Sequence, residues 1–161
     1  MSRLATLYID KQSHKFSAAH YTIFSATERE RLHGHNYSVS VKIVAPMGGN
    51  GFSADYNLYK TRVGVLCDAL DEYLILAGDS PYQVVERQGD SYSVKFSDCE
   101  MSFLCSDTHV LPITNVTIEE LSYYLLQRLL QASEGEGLQE VELCVASGDG
   151  QKACSGWRYS D

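Results

Sequence analysis

Alternation with a period of two organises both ends of this chain. Beyond His33 and His35, the positions Tyr37, Val39, Val41 and Ile43 fall on one face of an extended segment, and Asn36, Ser38, Ser40 and Lys42 fall on the other, the pattern of a half-buried strand. Residues 4–19 read as an earlier long strand, but Leu7 and Ile9 share one parity while Phe16 and Ala18 share the other. That change of face predicts a bulge or bend near Lys11 to His14. Near the other end, Val141, Leu143 and Val145 alternate with Glu140, Glu142 and Cys144. After a Gly148-Asp149-Gly150 turn come Ala153, Ser155, Trp157 and Tyr159, a last strand.

Between these ends the period changes. Leu58, Arg62, Leu66, Ala69, Leu70, Tyr73 and Leu74 recur at helical spacing, predicting a helix over roughly 56–74 with Asp55 as its N-cap. It follows a turn of composition Pro46-Met47-Gly48-Gly49-Asn50-Gly51. Thr117 and Glu120 have capping-box spacing, and Ile118, Leu121, Leu125 and Leu129 line one face of a second helix ending near Ala132. In the region 78–113, Tyr82 to Glu86 and Tyr92 to Phe96 flank a Gln88-Gly89-Asp90 turn, with Met101 to Cys105 as a third short strand. The order is ββα, an inserted β-hairpin, then αββ, which predicts an α+β layer of two helices on one face of an antiparallel four-stranded sheet.

Length and composition narrow the function. The 161 residues, 44% of them hydrophobic, make one domain spanning 1–161. A formal charge of −8 with no basic stripe argues against nucleic acid as a partner, while anionic small substrates stay open through a local pocket. No apolar run reaches membrane-spanning length and the N-terminus carries no basic segment followed by an apolar stretch, so a cytoplasmic protein is expected. Cys67, Cys99, Cys105, Cys144 and Cys154 form an odd set without CxxC spacing, and reduced cysteines, mostly in the core, are expected.

The chemistry concentrates in histidines. His33 and His35 lie two residues apart on a strand, so they project to one side and can share one ion, and Gly34 keeps the opposite face thin. His20, ending Phe16-Ser17-Ala18-Ala19-His20, supplies a third imidazole. Three neutral imidazoles leave one position of a tetrahedral zinc ion open, the arrangement of a catalytic zinc. His14 has the parity of His20 and reads as an ordinary strand side chain.

Phe16-Ser17-Ala18-Ala19-His20 followed by Leu32-His33-Gly34-His35-Asn36-Tyr37 resembles the zinc site of the 6-pyruvoyl-tetrahydropterin synthase and 6-carboxytetrahydropterin synthase (QueD-type) family. The resemblance implies the tunnelling fold, or T-fold, with 78–113 as an insertion beyond the minimal family fold. It implies Zn2+ held by His20, His33 and His35, a small pterin-like substrate of the dihydroneopterin triphosphate type, and a trimer-based homo-oligomer, expected as a hexamer, with sites between subunits. The family's base is a cysteine four residues before the first histidine of the HGH motif, but Arg29 stands there and its guanidinium stays protonated. A branch of the family uses a glutamate near this place for a retro-aldol-like cleavage of the pterin side chain, which makes Glu30, or else Glu28, the candidate base.

The family's Leu-Asp-His relay appears as Leu70-Asp71-Glu72, retaining Asp71 and replacing the histidine by Glu72. His109 is the remaining candidate for that relay imidazole. The glutamate that anchors the pterin ring has no counterpart in Val145-Ala146-Ser147-Gly148, and Glu142 lies too early, whereas Thr117 is retained in a segment resembling the Asn-x-Thr helix start. The expected function is that of a zinc-dependent, pterin-transforming lyase with altered catalytic bases. The rivals are a diverged, non-catalytic zinc-binding T-fold protein and an enzyme acting on a different ring.

Overall fold

The computed structural model describes residues 3–160. The elements in chain order are β1 (Leu4–His20), β2 (His33–Pro46), α1 (Tyr56–Asp68), β3 (Tyr73–Ala77), β4 (Gln83–Gln88), β5 (Ser91–Phe96), β6 (Cys99–Leu104), β7 (Thr108–Leu111), α2 (Ile118–Gln131), β8 (Glu140–Gly148) and β9 (Gln151–Arg158). Six strands form one sheet in the order β7-β3-β1-β2-β8-β9, and β4-β5-β6 form a second, three-stranded sheet.

The main sheet is therefore mixed and six-stranded rather than antiparallel and four-stranded. The antiparallel part, β1-β2-β8-β9, is the predicted one; β3 joins β1 in parallel and β7 joins β3 in parallel. The predicted helix over 56–74 overruns the start of β3, taking in Tyr73 and Leu74. Leu74, Ile75, Leu76 and Ala77 are all buried, so this strand has no polar face and shows no alternation. The real helix stops at Asp68, and Glu72, with φ 64, turns the chain so that its N–H donates to Ser17 O at 2.7 Å and β3 starts beside β1. The strands expected in the region 78–113 form the small sheet, but β7 at its end belongs to the main one.

Between β1 and β2 the pairing jumps from Asp10–Ser40 to Lys15–Ser38. Five steps on β1 thus oppose two on β2, an odd excess, and an odd excess reverses which face a side chain takes. That is why Ile9 and Phe16, of opposite parity, are both buried on the helix side. His14 lies in this irregular stretch, buried, with Nε2 against Lys60 O of α1 at 3.0 Å.

The main core fills the space between the sheet and the helices: Phe16, Tyr37, Val39, Val41, Ile43, Leu143 and Val145 meet Tyr59 and Val63 of α1 and Leu121, Leu125 and Leu129 of α2. Both helix starts are as predicted, with Asp55 accepting from Asn57 N–H at 2.9 Å and Thr117 Oγ1 from Glu120 N–H at 3.3 Å. The Glu120 carboxylate accepts from Thr114 N–H at 3.0 Å, one turn beyond the capping-box partner. A smaller core of Tyr21, Ile23, Leu74, Leu76, Val94 and Phe96 joins the small sheet to the segment after β1.

The expectation of reduced cysteines fails at one pair: Cys144 and Cys154 form a disulfide, while Cys67, Cys99 and Cys105 are free. The two face each other in the β8–β9 register with Cα atoms 4.0 Å apart. Their ten-residue separation is set by a hairpin, which a search for CxxC spacing does not detect.

Candidate metal centre

Strand alternation delivers the three histidines to one point. Ala18 pairs with His35 and His20 with His33, so the end of β1 and the start of β2 put all three imidazoles on the helix side, beyond the last core residues. Their ring centroids lie 4.7 Å (His20–His33), 5.2 Å (His20–His35) and 4.8 Å (His33–His35) apart. One ring nitrogen from each falls within 4.8 Å of the others. Tyr37, buried beneath, presents an edge-on ring to His20 at 6.0 Å and to His35 at 5.7 Å.

Backbone carbonyls fix which nitrogen faces inward. His20 Nδ1 is 3.0 Å from Val116 O and His33 Nδ1 is 2.7 Å from Arg31 O; a carbonyl only accepts, so each Nδ1 carries the proton and each Nε2 carries a lone pair. His33 Nε2 then sits 3.0 Å from His35 Nε2, and His20 Nε2 is buried without a hydrogen-bond partner. Buried polar atoms are ordinarily satisfied, and lone pairs converging in this way are the donor set of a cation. Burial also lowers the pKa of His20, keeping it in the neutral form that a metal requires.

Of the two candidate glutamates, only Glu30 turns to the histidines. The 21–31 loop folds back at Ser25, whose hydroxyl accepts from the Thr27 and Glu28 N–H groups, leaving Glu28 exposed. Glu30 N–H donates to Thr22 O at 2.8 Å, and its Oε2 accepts from Thr22 N–H at 2.9 Å and lies 3.9 Å from His33 Nε2. Burial alone pushes the Glu30 carboxyl up, but the Thr22 hydrogen bonds and nearby imidazoles outweigh it, so the pKa is lowered and the group is ionised near neutrality.

Arg29, at the place of the family's cysteine, turns toward the small sheet instead, with its guanidinium 4.8 Å over the Tyr21 ring. Asp71 is exposed and accepts from Ser17 N–H at 2.7 Å, and Glu72 follows it in the turn into β3. His109, on β7, stacks on Tyr73 at 4.1 Å across to β3. The structure thus unites His20, His33, His35 and Glu30, and leaves Asp71, in the turn before β3, and His109, on β7, without a hydrogen bond to them. Beside Asp71, a cleft of about 420 Å³ is lined by Ser17, Asn36, Glu72, Tyr73 and Asp107. A cavity of about 770 Å³ lies by Trp157 and the residues after α2 and is lined by none of the histidines.

At the expected ring anchor, Ser147 accepts from Gln151 Nε2 at 2.7 Å, a neutral pair in place of a carboxylate. Thr117 is committed to its cap. Sequence reasoning passed over Asn115, whose Oδ1 accepts from Ile23 and Val116 N–H and whose Nδ2 donates to Ile23 O, tying the loop after His20 to the segment whose carbonyl orients that histidine. The signal was its place two residues before the capping threonine.

Comparison with known proteins agrees with this geometry. A family model described as 6-pyruvoyl tetrahydropterin synthase matches residues 8–151. A Methanocaldococcus jannaschii protein, provisionally named 6-carboxy-5,6,7,8-tetrahydropterin synthase, is 30% identical over 144 residues, 87% of this chain and 88% of its own. The crystal structure of 6-pyruvoyl tetrahydropterin synthase from Plasmodium vivax superposes with a TM-score of 0.91 at 28% identity, covering 98% of this chain and 99% of that one. The Plasmodium falciparum enzyme gives 0.90 at 28% identity, covering 99% and 100%. Structures of the P. vivax protein with a catalytic residue, a glutamate, replaced by alanine or by cysteine match equally well, each at a TM-score of 0.91 and 27% identity. With the family model spanning most of its length, this chain belongs to the 6-pyruvoyl tetrahydropterin synthase family.

Proposed function

We propose that the chain is a zinc-dependent lyase that cleaves the side chain of a dihydroneopterin triphosphate-like substrate, with Glu30 as its base. The observation that carries this reading is the Glu30 carboxylate 3.9 Å from His33 Nε2, beside three imidazoles whose ring nitrogens converge within 4.8 Å. Similarity to P. vivax structures in which the altered catalytic residue is a glutamate supports a carboxylate base here.

His20, His33 and His35 hold the metal in this reading, and zinc, when bound, supplies a Lewis acid that polarises the substrate's side-chain oxygens. Glu30 takes the proton from the side-chain hydroxyl on the second carbon from the ring. That carbon becomes an aldehyde as the C–C bond to its ring-side neighbour breaks, and the electron pair left on the neighbour is protonated to give a 6-hydroxymethyl-dihydropterin. Thr22 N–H orients the carboxylate by bonding Oε2. Asp71 and His109 lack a hydrogen bond to the histidines within one chain, and we assign them to the site that a neighbouring subunit completes in a trimer-based homo-oligomer. Light scattering showing a monomer at micromolar concentration would contradict that assembly.

The test is chromatography of the products formed by zinc-loaded protein from dihydroneopterin triphosphate, beside Glu30→Ala. We expect 6-hydroxymethyl-dihydropterin from the parent and a loss of about 10²–10⁴-fold in the variant, the usual worth of a general base. Efficient formation of the 6-pyruvoyl or 6-carboxy product would refute the assignment.

A further inference from the structure

The small sheet packs on Tyr21 and Ile23 after His20, and it reaches the Glu30 peptide through Arg29. Arg29 Nη1 donates to Glu30 O at 2.8 Å, and Nη2 donates to Met101 Sδ on β6 at 3.4 Å. Its guanidinium carbon lies 4.8 Å from the centroid of Tyr21, the residue after His20, and 5.8 Å from that of Phe96 on β5. Tyr21 is itself held, its hydroxyl donating to Gln83 Oε1 on β4 at 2.8 Å, and Gln83 Nε2 donates to Ala77 O at 2.9 Å. All three strands of the small sheet, and through Gln83 the end of β3, therefore bear on this one guanidinium.

We propose that Arg29 is a positioning residue: it clamps the Glu30 peptide against the small sheet and so holds the Glu30 carboxylate toward His33. The proposal rests on the reading of Glu30 as base. The backbone on either side of Glu30 is otherwise held by main-chain bonds of the loop itself, Glu30 N–H to Thr22 O and Phe24 N–H to Glu28 O across the Ile23–Arg29 bridge, and by His33 Nδ1 on Arg31 O, none of which reaches the small sheet. A planar fork can donate to a carbonyl and to a sulfur while stacking on aromatic rings, which a lysine ammonium cannot reproduce. Two of its five N–H donors, one on each terminal nitrogen, are engaged within the chain. Misplacing a catalytic group by about 1 Å costs on the order of 10²-fold in rate.

The experiment compares Arg29→Met, which keeps an apolar stem without the fork, and the milder Arg29→Lys, with Glu30→Ala and the Arg29→Met/Glu30→Ala double variant. In the metal-free proteins, hydrogen exchange at the Thr22 and Glu30 amides is expected to quicken by about tenfold or more in Arg29→Met and by less in Arg29→Lys, while amides of β2 and α2 keep their protection. With zinc bound, kcat should fall by about 10–10²-fold with KM nearly unchanged. The double variant should turn over no more slowly than Glu30→Ala, since a residue acting through Glu30 adds nothing once it is gone. Unchanged exchange at Thr22 and Glu30, a rise in KM at constant kcat, or a full additional loss in the double variant would overturn the clamp. Should Glu30→Ala turn over normally, the base assignment fails, and the exchange rates alone decide whether Arg29 holds the loop.

Discussion

Replacing His20 by alanine separates a metal ligand from a buried core histidine, because the chain holds one of each on the same strand. His20 and His14 are 5% and 3% exposed, each has one ring nitrogen against a backbone carbonyl, and each leaves the other nitrogen unpartnered. They differ in company: His20 Nε2 faces two further imidazoles, whereas His14 belongs to no such group among the described residues. At zinc about 100-fold above its dissociation constant, binding to the native state adds about 2.7 kcal/mol. In a domain of this size each kcal/mol moves Tm by about 2–4 °C, so zinc should raise the Tm of the parent by about 5–11 °C.

His20→Ala should lose that rise entirely. The variant's own metal-free Tm should shift less, because the hydrogen bond given up to Val116 O, worth about 0.5–1.5 kcal/mol, is offset by removing a buried unpaired nitrogen that costs about 1–3 kcal/mol. His14→Ala, which makes the same exchange of a carbonyl bond for an unpaired nitrogen, should retain the full zinc-dependent rise. Scanning calorimetry with and without zinc, with bound zinc measured by atomic absorption, reads all three proteins. An undiminished rise in His20→Ala, or its loss in His14→Ala, would refute the reasoning.

The metal-free protein should lose stability as pH falls below about 6.5, since burial holds the His14 and His20 pKa values below their unfolded ones and the unfolded chain then binds more protons, which denaturant titration between pH 8 and 5 measures. Glu136, bonded to Arg62 Nη2 at 2.6 Å and to the Tyr59 hydroxyl, has its pKa lowered chiefly by the arginine. Its stabilisation is complete above the unfolded carboxylate pKa of about 4.5 and is lost as pH falls through the lower folded value, so Glu136→Gln should flatten the acid limb of that titration. Reducing Cys144–Cys154 should cost at most about 3 kcal/mol, the loop-entropy figure for a short closure, and leave zinc binding intact; loss of zinc on reduction would count against the histidine centre.

What the sequence disclosed follows from what leaves a local trace. The alternation after His33, the change of face before Phe16 and the caps at Asp55 and Thr117 are written in neighbouring residues, and the structure reproduces each. β3 and β7 left little trace: β3 is buried from Leu74 to Ala77, and its first residues, Tyr73 and Leu74, keep the helical spacing of α1 although Glu72 just before them breaks the helix through a backbone conformation that a glutamate seldom adopts. The histidine trio was legible because strand parity alone places it. Choosing Glu30 over Glu28 was not, because that depends on how the 21–31 loop folds back on Ser25, and the outward turn of Arg29 depends on a sheet seventy residues away in sequence, through Met101.

The measurement that bears most directly on the account is X-ray absorption at the zinc edge of the loaded protein. Three imidazole nitrogens at about 2.0–2.1 Å with one further light donor are predicted, the signature of a three-histidine centre with an open position. Loading Glu30→Ala should leave the three nitrogens in place, because the carboxylate serves as base rather than ligand. A sulfur shell near 2.3 Å, which would place zinc on cysteine thiolates, or fewer than three nitrogens, would contradict it.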